Sequence, residues 1–117
     1  MGLTHVEAKV TGTRGHTATL RFLVDSGARY SLLPPAIWKK LGLKAKRTID
    51  FTLADGTTIR RKVSECHFTF GENDGHSPVI LGEAGDEALL GVVTLEVLGL
   101  VLNPFDRTLR PMRMMLA

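Results

Sequence analysis

The stretch Phe22-Leu23-Val24-Asp25-Ser26-Gly27-Ala28 sets a carboxylate directly after an apolar run that reads as a strand. A charge at such a place is costly unless a partner or a reaction uses it. Ser26 and Gly27 then supply a hydroxyl and a tight turn. Taken alone, Asp before Ser-Gly is better explained as an Asx turn or a helix cap than as a catalytic group. The meaning of Asp25 therefore depends on what surrounds it.

Upstream, Val6, Ala8 and Val10 alternate with polar neighbours, which predicts a strand over His5 to Val10. Gly12 to Gly15 is a turn, and Thr17 to Val24 returns as a second strand. Downstream, Leu32-Leu33 lead into Pro34-Pro35, which open a short helix over Ala36 to Leu41. Gly42 and a basic tail end it. Thr48 to Leu53 and Thr57 to Val63 are strands around Ala54-Asp55-Gly56, a strong hairpin signal because Asp and Gly tolerate positive φ. Glu65 to Phe70 is a further strand, Gly71 to Ser77 a polar loop, and Pro78 to Leu81 another strand. Gly91 to Leu98 is the second helix, closed by Gly99; Leu100 to Leu102 and Thr108 to Met112 are short strands around Asn103-Pro104. The sum is a mostly β chain with two short helices.

The chain also repeats itself. Leu41-Gly42-Leu43 recurs 57 residues later as Leu98-Gly99-Leu100, and the same offset lays Leu32-Leu33 on Leu89-Leu90. It lays Phe22-Leu23-Val24-Asp25 on Val79-Ile80-Leu81-Gly82, so the second half carries glycine where the first carries aspartate.

Length and composition narrow the classes of function. The 117 residues suit one domain over residues 1–117, and 44% hydrophobic content suits a folded core. No run approaches the roughly 18 apolar residues of a membrane helix. The N-terminus alternates from the start, unlike a signal peptide, so a cytoplasmic protein with no membrane partner is expected. The single cysteine, Cys66, forbids an intrachain disulfide and reads as a packing residue. His5, His16, His67 and His76 lack metal-ligand spacing, so neither metal nor cofactor is expected. A net charge of +3, clustered at Lys39 to Arg47 and Arg107 to Arg113, is all that favours a nucleic-acid-binding reading. With 6% aromatic residues there is little to stack on bases, so no nucleic-acid partner is expected.

Hydrolysing a peptide bond with carboxylates takes two of them, one ionised to accept a proton from water and one protonated to polarise the carbonyl. Held close together, the two share a proton because both cannot ionise. One Asp-Ser-Gly per chain supplies such a pair only by symmetry, with Asp25 of one copy facing Asp25 of another across an isologous interface. The Asp55-Gly56 hairpin would close over an extended substrate and exclude water, and its edges offer backbone to a peptide added as a strand.

Leu23-Val24-Asp25-Ser26-Gly27-Ala28 resembles the catalytic motif of retropepsin-like aspartic proteases, the family that itself illustrates the shared-proton rule. Ala88-Leu89-Leu90-Gly91 resembles the family's second signature, and the order of elements matches over nearly the whole chain. Leu89 to Pro111, with Leu-Gly-Leu, Asn-Pro and Leu-Arg-Pro, looks most like the single-domain bacterial members. The resemblance implies an acid-protease fold with one lobe per chain, closed by homodimerisation, acting as an endopeptidase on extended peptide or protein substrates. It implies that Asp25 is catalytic, that Ser26 makes interlocking hydroxyl contacts beneath the pair, and that Gly27 offers its carbonyl to substrate. Substrate contacts fall to Gly27, Ala28, Arg29, Leu90 and the flap tip at Ala54, Asp55 and Gly56. Two departures stand out: Arg29 replaces the usual acidic residue and Val92 the usual arginine, so an ion pair of retroviral members is missing. The alternative that this leaves is a retropepsin-fold dimer that binds peptides or mediates assembly without proteolysis. The apolar segment Leu109 to Leu116 is expected to join a dimer sheet.

Overall fold

A computed structural model of the chain describes residues 4–112. Residues 113–116 of the C-terminal segment assigned above to a dimer sheet, and the first three residues of the N-terminal pattern, lie outside the described residues.

Antiparallel strands β1 (His5–Thr11) and β2 (Thr17–Val24) flank a 3₁₀ turn at Thr13–Gly15. β3 (Ser31–Leu33) leads into α1 (Pro35–Lys40), with Pro34 as its N-cap. β4 (Arg47–Thr52) and the long β5 (Thr58–Phe70) form a hairpin, and β5 turns back into β6 (Asn73–Leu81). β7 (Leu89–Leu90) precedes α2 (Val92–Val97), and β8 (Leu100–Asn103) pairs with β9 (Thr108–Pro111). The main sheet runs β1-β2-β7-β3-β6-β5-β4 and returns on itself, because the C-terminal half of β5 also pairs with β1. Its interior holds the core, centred on Val10, Phe22, Leu33, Leu41, Phe68 and Leu90, all fully buried. Phe22 and Phe68 stack obliquely there, with ring centres 5.8 Å apart.

The repeat is structural. α1 and α2 begin and end 57 residues apart. Each ends on a leucine in helical conformation followed by a glycine at φ +70°, Gly42 and Gly99, where a side chain would be strained. The parallel pairings cross between the halves: β2 lies beside β7 with Leu23 opposite Leu89, and β3 beside β6 with Leu32 opposite Ile80. Shifting either pair by 57 residues gives the other. The two antiparallel hairpins differ by one residue, since Val6 faces Phe22 but Val63 faces Ile80.

Two expectations are corrected. Glu65 to Phe70 is not a separate strand but the continuation of β5 through a buried Ser64. Gly71 to Ser77 is not a loop: a two-residue turn at Gly71-Glu72, with Gly71 at φ +60°, returns the chain straight into β6. Over residues 71–77 the inward positions include Gly75 and Ser77, because α2 lies directly on them. A Cβ at Gly75 would come 2.5 Å from a Val97 methyl, and Ser77 bonds Thr94. An inward face of glycine and serine has no hydrophobic alternation to read.

Candidate active site

Asp25 follows the last residue of β2 and is half-buried. Its backbone N–H donates to the carbonyl of Leu90 at 3.0 Å, which ties the loop to β7. One carboxylate oxygen, Oδ1, accepts the N–H of Gly27 at 2.9 Å, and the Asp25 carbonyl accepts that of Ala28 at 3.1 Å. These bonds fix the aspartate in an Asx-type turn with Oδ2 left to other work. Ser26, Gly27 and Arg29 are exposed around it.

The loop is clamped from behind by α2. Val92 and Val93 N–H groups donate to the carbonyls of Ala28 and Arg29 at 2.8 and 2.9 Å. The Gly91 N–H donates to Ser31 Oγ at 2.9 Å, and the Ser31 hydroxyl continues through Thr94 Oγ1 to Ser77 Oγ. These three side chains are buried, and together they join β3, α2 and β6. Neither Ser31 nor Thr94 stood out in the sequence. The signal was a hydroxyl inside each of two apolar runs, Ser31-Leu32-Leu33 and Val92-Val93-Thr94-Leu95, but nothing local pairs residues 63 positions apart.

Gly82 occupies the place of Asp25 in the second half. Its N–H donates to the Leu33 carbonyl at 2.8 Å, the counterpart of the Asp25-to-Leu90 bond. The nearby acids are committed elsewhere: Glu83 pairs with Arg61 at 2.6 Å, and Asp86 accepts the Glu83 N–H at 2.7 Å. Trp38 anchors the same loop by donating its indole N–H to the Gly82 carbonyl at 2.9 Å.

The β4–β5 hairpin carries Ala54, Asp55 and Gly56 at an exposed tip. Asp55 Oδ1 accepts both the N–H and the hydroxyl of Thr57, which holds its carboxyl below the usual range. Asp55 is thus a turn residue and not a second acid placed beside Asp25. Directly opposed Asp50 and Arg60 brace the hairpin at 2.8 Å. Tyr30, from the Asp25 loop, meets Phe51 of β4 edge-on with ring centres 5.9 Å apart. Leu90 departs from expectation: its side chain is fully buried in the core, so it supports the loop through its carbonyl and presents no surface to a substrate. Cys66 is buried, and burial pushes its thiol up to about 12. Among the described residues no group of three or more His, Cys, Asp or Glu side chains could hold a metal ion, and no helix is long and apolar enough to cross a membrane.

Residues 6–94 match the family described as aspartyl protease. The chain belongs to that family. Solved structures agree on the fold. EIAV protease, complexed with the inhibitor HBY-793, superposes with a TM-score of 0.63 at 16% identity, covering 84% of this chain and 89% of its own. The protease of simian foamy virus (mac) does so with a TM-score of 0.56 at 19% identity, covering 81% of this chain and 92% of its own. No curated protein sequence matches the chain. This aspartyl protease thus has the mostly β, retropepsin-like fold of a single viral protease lobe. Its motif aspartate belongs to the matched region.

Proposed function

We propose that this aspartyl protease is a homodimeric endopeptidase whose active site forms from two Asp25 carboxylates, one from each copy. The observation that carries the reading is the equivalence of Asp25 and Gly82. The fold repeats the active-site loop, but the second copy has glycine and no carboxylate at the position of Asp25. Neither the cavity of about 770 Å³ nor the one of about 470 Å³ is lined by Asp25, as suits half of a cleft.

In the dimer one Asp25 is ionised and its mate protonated, since two adjacent carboxyls cannot both hold a charge. The ionised carboxylate takes a proton from water as the water oxygen bonds to the scissile carbonyl carbon, and the protonated mate donates to the carbonyl oxygen. The tetrahedral intermediate collapses when the C–N bond breaks, the leaving nitrogen takes the proton that the first Asp25 received from water, and a hydroxyl of the intermediate returns a proton to the mate. The Gly27 bond to Oδ1 orients each carboxylate, Ser26 links the two loops beneath the pair, and Gly27, Ala28 and Arg29 border the substrate. Ala54, Asp55 and Gly56 close over an extended peptide.

The test is cleavage of an unfolded protein or a peptide library at mildly acidic pH. Asp25→Asn is expected to lower the rate by at least about 10³-fold, in line with the loss of acid–base catalysis, and a statine-type inhibitor to block it. Cleavage that survives Asp25→Asn sinks the mechanism. Peptide binding with no cleavage by the native chain points instead to a non-proteolytic binding dimer.

A further inference from the structure

We propose that the cleft between the β1–β2 turn and the C-terminal end of α1 binds an acidic polypeptide segment, away from Asp25. The cleft encloses about 770 Å³. Arg14 reaches it from the turn, Lys39, Lys40, Lys44 and Lys46 from the end of α1 and the coil beyond, and Glu65 from β5. Glu65 is the one carboxylate in the lining, and Lys46 holds it at 2.7 Å. Five cations against one carboxylate give the cleft a local charge of +4. The whole chain carries +3, so everything outside the cleft is slightly negative. Among the described residues, Arg14, Lys39, Lys40 and Lys44 make no ion pair. Like charges gathered in a concave surface focus potential and raise the local concentration of an anion.

The frame that displays these cations is rigid. The Thr13 N–H and hydroxyl both donate to the Leu41 carbonyl, at 3.0 and 3.1 Å, so the turn is tied to the helix end. Gly12 packs so closely there that a Cβ would sit 2.3 Å from the same oxygen. Side chains on a fixed frame lose less freedom on binding than those on a loose basic tail. The chemistry favours carboxylates on a peptide over a nucleic acid, because the lining holds no Phe, Tyr or Trp on which bases stack. The site lies at the Thr17 end of β2 and Asp25 at the other, about 23 Å along the strand. An acidic stretch about ten residues from the scissile bond spans that distance. The link to cleavage rests on the peptidase reading; the binding does not.

The experiment uses the Asp25→Asn protein and a fluorescein-labelled deca-glutamate peptide, followed by anisotropy. The cleft variant Arg14→Glu/Lys44→Glu is set against Lys62→Glu/Arg107→Glu, an equal charge change at exposed sites outside the cleft. The cleft variant is expected to raise Kd at least about tenfold and the control at most about threefold, with binding weakened by salt. Equal weakening in both variants overturns the site. Tighter binding of oligo-dT than of deca-glutamate through the same residues overturns the peptide assignment. With Asp25 intact, a cleavable peptide bearing the acidic stretch is expected to show a lower KM than one without it, and Arg14→Glu/Lys44→Glu to abolish the difference. An unchanged KM overturns the link to cleavage. Failure to cleave either peptide condemns the peptidase reading alone and leaves the anisotropy result to decide the cleft.

Discussion

Asp25 and Gly82 show how one position in a repeated loop can hold a carboxylate in one half and close packing in the other. Gly82 fills its place tightly: a Cβ there would lie 2.7 Å from both the Leu33 carbonyl oxygen and a Leu32 methyl, and 3.3 Å from the Asp86 Cβ. That oxygen is also the acceptor of the Gly82 N–H, so neither can give way without losing the bond. Gly82→Ala is expected to destabilise the fold by about 1–3 kcal/mol, the usual range for overpacking, and a shifted urea midpoint would measure it. An unchanged midpoint would mean that Leu32 and Leu33 give way and that the contact at Gly82 is not tight. A second aspartate cannot be installed at residue 82 by one substitution without the same collision. The sequence displayed the Asp-to-Gly exchange but not its steric reason, which depends on Leu32 and Leu33 lying against residue 82.

The elements that place Asp25 are held by polar contacts as well as by the apolar core. Thr94 is the hub: its hydroxyl meets those of Ser31 and Ser77, and Ser31 in turn accepts the Gly91 N–H at the head of α2. Thr94→Val keeps the shape but takes one hydrogen-bond partner from each of two buried hydroxyls, at a cost of about 1–3 kcal/mol. It is expected to lower both the unfolding free energy and the cleavage rate, and Thr94→Ser to restore most of each. Stability equal to wild type in Thr94→Val would refute the hub. In β8–β9, the Thr108 hydroxyl and Arg110 hold the Asp106 carboxyl down to about 2, from an ordinary 3.8. A carboxyl whose pKa falls on folding stabilises the folded state above its ordinary pKa and loses that contribution as pH drops through the folded value. The hairpin is therefore expected to stay braced at pH 4 and to loosen towards pH 2. The Thr108 amide resonance reports it, and a midpoint near 3.8 would contradict the contact. At this scale the sequence was readable wherever local chemistry decides: Pro34-Pro35 opened α1, Gly42 closed it, and Asp55-Gly56 turned the β4–β5 hairpin. It was unreadable in the first half of β6, where α2 demands small inward residues, and at the two-residue β7, which exists only as a partner for β2 and β3.

For the molecule as a whole, the crossed pairings make one chain a closed pseudo-symmetric lobe with an acid on one side of the repeat. Family and lobe were legible because Asp25-Ser26-Gly27 and Gly91 directly follow strands that pair with each other, Leu23 against Leu89 and Val24 against Leu90. The proposed pair of copies rests on subtraction, on the carboxylate missing from the second half. Subunit mixing tests it without any inhibitor. Native chain and Asp25→Asn chain are combined at constant total concentration and allowed to exchange. If each active site needs an Asp25 from both copies, only native–native dimers cleave, and random pairing makes activity follow the square of the native fraction. An equal mixture is then expected to retain about one quarter of the activity of native chain alone. A site complete within one chain would retain about one half. The same curve excludes slow exchange when it is repeated after dilution and reconcentration, since trapped native dimers would also give one half at first and drift towards one quarter as partners redistribute.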